Sequence, residues 1–194
     1  MSDCPYKYSL TFTKNGLLIF LSQLDLMRLF GRVIQKSSLP VAYTQGFNPH
    51  PRYALPYPLP VGYVGEAEIL AIYLTQPVPE NTLIEEFNRF LPPDIRVRQA
   101  VGGALTPRYY LRVVLAGPRD WSLPANWADL TVAKENKKSE VQKYRLGDHV
   151  RLEQSGAELR LLPLSDKVFK AEKVCAALGI ALEQITEIVR AEAH

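Results

Sequence analysis

The stretch YKYSLTFTKNGLLIFLSQLDLMRLFGRVIQK, residues 6–36, changes its apolar period once, and that change decides the fold. Tyr6, Tyr8, Leu10 and Phe12 alternate with polar neighbours, which predicts a half-buried strand. Asn15-Gly16 turns the chain, and LLIFL leads toward a helix. Ser22, with Asp25 three residues on, reads as a helix N-cap before an apolar run. Beyond it the spacing is helical. Leu26, Phe30, Val33 and Ile34 share one face, while Arg28, Arg32 and Lys36 stack at i, i+4, i+8 on the other.

Downstream, Ser37, Ser38 and Pro40 stop this helix, and VAYT reads as a short strand. EAEILAIYL is apolar on both faces, as in a strand inside a covered sheet. Pro77, Pro79, Glu80 and Asn81 open a second helix with Leu83, Ile84, Phe87 and Leu91 inward; Pro92-Pro93 end it before the strand IRVRQAV. Strand, helix, two strands, helix, strand is the ferredoxin-like βαββαβ order, with both helices on one face of the sheet. The predicted class is therefore α+β.

GGALTPR, residues 102–108, reads as a linker. After it come a strand, YYLRVVLAG, and strands around Ser155-Gly156, a hairpin signal. The segment 120–130, which holds Trp121 and Trp127, gives no firm assignment. Ser165 and Asp166 read as the N-cap pair of a helix stopped by Gly179, and LEQITEIVRAEA is helical in propensity. The expected division is a ferredoxin-like domain over 1–103, carrying a proline-rich loop, and a second, reduced α+β half over 104–194.

Composition narrows the function classes. With 194 residues and 47% hydrophobic content, a packed core forms without staples. No apolar run approaches the roughly 18 residues that cross a bilayer, and MSDCPYKYS lacks the order of a signal peptide, so a cytoplasmic protein without a membrane partner is expected. Cys4 and Cys175 are expected to be reduced. No CxxC, HExxH, GxxxxGK[ST], GxGxxG or GxSxG pattern occurs, and no cysteine triplet suits an iron–sulfur cluster; no cofactor or metal is expected.

Charge is uneven. Residues 1–64 carry six Lys/Arg against Asp3 and Asp25. A second group, Arg96, Arg98, Arg108, Arg112 and Arg119, has only Asp94 among it. An arginine-rich surface suits an anionic partner, RNA above all; a solvated surface of mixed charge explains the same counts.

The stretch 38–62, SLPVAYTQGFNPHPRYALPYPLPVG, is dense in proline and sets His50 between Pro49 and Pro51. Such a segment has little backbone freedom to lose, so its polar groups are held stiffly. Tyr43, Gln45, Asn48, His50, Arg52 and Tyr53, together with Arg28, Arg32 and Lys36, form the candidate binding set. Tyr43, Tyr53 and Tyr57 are candidates for stacking on unpaired bases. His50, whose ordinary pKa lies near neutrality, is the weak catalytic candidate; packing over a proline ring is the plainer reading. Gly31 lowers helix propensity beside the basic stripe by about 1 kcal/mol, which suggests a close approach to the helix there.

The run FLSQLDLMRLFGRVIQKSSLPVAYTQGFNPHPRYALPYPLPVG, residues 20–62, resembles the bacterial radical SAM-linked proteins, a domain of unknown function, whose members look like FLSHLDLMR followed by LPVAYSQGFNPHP and LPVG. The similarity continues more weakly toward the C-terminus. Such domains occur alone or fused behind a cobalamin-binding radical SAM protein, and are encoded near it and near ribonuclease and ribosomal-protein genes. The resemblance thus implies a companion of that enzyme. Gln23 stands where members have His, Thr44 where Ser is common, and EVQKYRL where similar members show Asp and an Arg-Pro pair. Loss of a histidine at 23 argues against a mechanism that pairs it with His50. The first reading is a non-catalytic accessory module that contacts RNA and acts with a radical SAM partner. The alternatives are an RNA-processing or RNA-modifying enzyme using His50 as general acid/base, and a protein–protein adaptor without nucleic acid.

Overall fold

The computed structural model describes residues 6–116, 121–135, 139–165 and 169–192, and the chain divides into two compact units, Met1–Pro107 and Arg108–His194. Cys4, Arg119, Asp166 and His194 lie outside the described residues.

In the first unit β1 (Tyr6–Lys14) leads through a 3-10 turn, Gly16–Phe20, into α1 (Gln23–Lys36). Gly16 takes φ +55°, and a Cβ there would fall 2.6 Å from an Asp94 carboxylate oxygen, so a side chain at this turn would be strained. The Ser22 hydroxyl caps α1, accepting from the Asp25 N–H at 3.2 Å. Then follow β2 (Tyr53–Ala54), β3 (Val64–Leu74), α2 (Glu80–Phe90) and β4 (Ile95–Gly102). The strands order as β4-β1-β3-β2, every pair antiparallel, which is the ferredoxin-like arrangement. Tyr8, Leu10 and Phe12 of β1 and Leu70, Ile72 and Leu74 of β3 face the apolar sides of both helices. Phe30 of α1 sits between Phe12 and Phe87, with ring centroids 4.9 and 6.2 Å away.

Two expectations change here. VAYT makes only isolated bridges, Val41 to Leu74 and Tyr43 to Pro51; the short strand is Tyr53–Ala54, beyond the prolines that deny the chain ladder donors. β1 is buried on both faces rather than one. Ser9 Oγ donates to the Gly103 carbonyl at 2.8 Å and accepts the Leu105 N–H at 3.1 Å, so the segment after β4 covers the polar side.

The second unit comprises β5 (Tyr109–Leu115), β6 (Thr131–Glu135), β7 (Val141–Arg145), β8 (Val150–Ser155), β9 (Glu158–Pro163), α3 (Ala171–Ala177) and β10 (Ile185–Glu192). Within it β10-β5-β9-β8 form an antiparallel ladder, and β6 pairs β7 separately. Residues 120–130 include a 3-10 turn, Trp127–Asp129. LEQITEIVRAEA is mostly strand, not helix: Ile185, Thr186, Ile188 and Val189 are β-branched, and pairing with β5 buries Val189 and Ala191. α3 starts at Ala171 with Lys170 as its cap, later than Ser165, whose hydroxyl instead meets His149 Nδ1 at 2.8 Å. Cys175 lies buried in α3; burial, with Glu172 adding, pushes its thiol up to about 12, which makes it an inert core residue. Among the described residues no helix is long and apolar enough to cross a membrane.

Candidate functional site

β2 lies on β3 with Tyr53 opposite Ile72, a core residue, so the pleat points Tyr53 toward α1. Its hydroxyl donates to the Met27 carbonyl at 2.9 Å. Burial raises the phenol above its ordinary pKa, which keeps it a neutral donor. One turn along α1, a Cβ on residue 31 would fall 2.7 Å from the same hydroxyl oxygen. Gly31 therefore answers to the protein's own Tyr53 and needs no external ligand to explain it. One turn back, Gln23 Nε2 donates to the Leu55 carbonyl at 3.2 Å, occupying the histidine position of the resembling sequences. Gln23, Met27 and Gly31, spaced by four, form the edge of α1 against which residues 53–55 lie.

Beside this seam is an open cleft of about 450 Å³, lined by Met27, Arg28, Gly31, Arg32, Gln35, His50, Pro51 and Tyr53. Four members of the candidate set, Arg28, Arg32, His50 and Tyr53, thus meet. Arg28 Nη1 holds the Asp25 carboxylate at 3.1 Å, both side chains being half-exposed. The Ser22 hydroxyl and then Arg28 hold Asp25 below the usual carboxylate range. Arg32 makes no ion pair among the described residues. With one carboxylate against two guanidiniums and a histidine, the cleft favours an anion.

The loop that carries His50 is closed at its base. The Thr44 N–H donates to the His50 carbonyl at 2.8 Å, and the His50 N–H donates to Thr44 Oγ1 at 3.0 Å. One residue further out Tyr43 bridges Pro51. Gly46 takes φ +130°, which lets residues 45–49 turn back sharply. Tyr43, Gln45 and Asn48 are exposed on this loop and stand outside the cleft lining, as does Lys36 in the last turn of α1. Arg52 leaves the site altogether. Pleat alternation turns it opposite to Tyr53, and its guanidinium stacks 4.7 Å from the Tyr73 ring centroid. Tyr53 is fixed in place by its hydrogen bond to Met27 and packs partly buried against the core.

Two arginines of the second group are committed to the protein's own groups. Arg96 Nη1 lies 3.0, 3.0 and 3.2 Å from the Leu91, Pro92 and Ile95 carbonyls, closing the end of α2. Arg112 pairs Glu158 at 3.1 Å. Arg98 and Arg108 are exposed.

Sequence reading missed Met27, Gln35 and Pro51 as cleft walls, although Met27 and Gln35 share the four-residue spacing of Gly31. It also passed over Phe47, the most exposed large apolar side chain described. Its signal was present: an aromatic residue between Gly46 and Asn48-Pro49 has no partner nearby in sequence. Among the described residues, no group of three or more His, Cys, Asp or Glu side chains is placed to hold a metal ion.

Residues 7–155 match the family model described as an uncharacterised protein conserved in bacteria (DUF2344), and the chain belongs to that family. Among curated proteins nothing matches it.

Proposed function

We propose that this member of the family is a non-catalytic binding module whose α1 cleft holds the phosphate backbone of RNA. One observation carries the reading: two guanidiniums and the imidazole of a loop closed at its base line the same cleft, beside a single exposed carboxylate. Phosphate contacts of this kind release counterions, so affinity falls with salt in proportion to the phosphates neutralised. The test is binding of the full chain to cellular RNA across a salt series, for the native protein and for Arg28→Ala/Arg32→Ala. If both side chains meet phosphates, the double variant loses about 0.7 per contact from the slope of log affinity against log salt on single strands, with its melting temperature unchanged. An unchanged slope removes the cleft from the interface.

The resemblance of residues 20–62 to radical SAM-linked proteins supports a further part of the reading, in which the module positions RNA for a cobalamin-binding radical SAM protein. Co-purification of that partner which depends on intact RNA is the expected result; co-purification that survives nuclease, without RNA binding, makes the protein an adaptor instead. His50 in the cleft supports the enzymatic alternative, with the imidazole as general acid/base. A His50→Ala protein that processes RNA at the native rate rules that alternative out.

A further inference from the structure

Phe47 sits near the apex of the loop closed by Thr44 and His50, with its ring fully exposed. Two amide side chains, Gln45 and Asn48, flank it within the loop, and Tyr43 at the loop base is half-exposed. His50, three residues away and therefore within about 10 Å along the chain, belongs to the cationic cleft. An exposed apolar ring thus lies three residues along the chain from His50 of the cleft that suits a phosphate, with amide-bearing residues next to it in the loop. Resting on the RNA reading above, we propose that the ligand is single-stranded and that Phe47 is the platform on which one of its bases stacks. An unpaired base offers a free π-face to such a ring, whatever its identity; a base inside a duplex is covered on both faces by its neighbours. The amides neighbour the edge of the stacked base, and Arg28 and Arg32 take the adjoining phosphates. This assigns the stacking role to Phe47 rather than to Tyr53, whose hydroxyl is bound to Met27.

The experiment measures the affinity of the full chain for a labelled ten-nucleotide oligouridylate and for a blunt RNA duplex of equal length, at one salt concentration, by fluorescence anisotropy. Native protein is expected to hold the single strand at least tenfold more tightly. Phe47→Ala should weaken the single strand by roughly tenfold and leave the duplex as it was, since a base–aromatic stack carries about that factor or more. Phe47→Trp should keep the native affinity and show fluorescence quenching on the oligouridylate beyond that of the native tryptophans. Being fully exposed, residue 47 tolerates these changes without loss of the fold, which an unchanged thermal melt verifies. Equal affinity for single strand and duplex, or native affinity in Phe47→Ala, overturns the stacking role; the RNA reading then still stands on the salt slope of Arg28→Ala/Arg32→Ala. Binding of neither RNA at low salt removes both. Loss of a protein partner in Phe47→Ala with RNA affinity intact also overturns the assignment.

Discussion

Arg28 and Arg32 stand on an open helix face beside a proline-rich loop, whereas Arg96 and Arg112 commit their donors inside the protein. In sequence the two groups look alike: arginines among apolar residues, with few acids near. Their partners separate them. On α1 the only carboxylate is Asp25, already capped onto Ser22, which leaves Arg32 without an ion pair among the described residues. At the end of α2 two prolines leave carbonyls that no following helical turn can satisfy, and Arg96 reaches back to them. Positive charge marks a binding surface only where the protein has not already used it.

Five substitutions press on that contrast. Arg96→Ala should lower stability by about 1.5–3 kcal/mol, the usual worth of hydrogen bonds from a charged donor to partly buried carbonyls, while RNA affinity stays native. A denaturant titration reads the first quantity; a drop in RNA affinity without a drop in stability would reverse the assignment. Gly31→Ala should destabilise despite the better helix propensity of alanine, because its methyl group displaces the Tyr53 hydroxyl. Adding Tyr53→Phe should restore part of the loss, with a coupling of about 1–2 kcal/mol in the double-mutant cycle. Additive effects would mean that Tyr53 does not set the space above Gly31. Glu158→Gln should cost about 0.5–1 kcal/mol, since the Arg112 pair is partly exposed and solvent screens it. The smallest effect concerns acid. Asp25 has its folded-state pKa below its ordinary value near 4, so its contribution is present above that pH and is lost as pH falls through the folded value. Asp25→Asn should therefore flatten the acid limb of the stability profile slightly; an unaltered limb would show that the Ser22 and Arg28 contacts do not persist in solution.

The ferredoxin-like half was legible because its signals are local and agree with one another. Ser22 caps where the strand period ends, Leu26, Phe30, Val33 and Ile34 repeat at helical spacing, and the alternation in β1 points Leu10 and Phe12 to the helices. The C-terminal strand was not legible. Glu183, Glu187, Glu192 and the alanines favour helix locally, and only the ladder to β5 rewards the extended form. At the candidate site, the residues that share a helix face were found by their period, but Arg52 was misplaced. Nothing in PHPRYA states which side of the sheet each residue takes until Tyr53 is registered against Ile72.

The sequence by itself determined the order of elements in the first half, the buried faces of both helices and the stiffness of the loop, because periodicity, capping and proline act over a few residues. Tertiary structure alone decided which arginines face solvent, that Tyr53 rather than a ligand fills the space above Gly31, and that Phe47 is left uncovered. Those outcomes depend on contacts between segments tens of residues apart, whose geometry exists only once the sheet has brought them together.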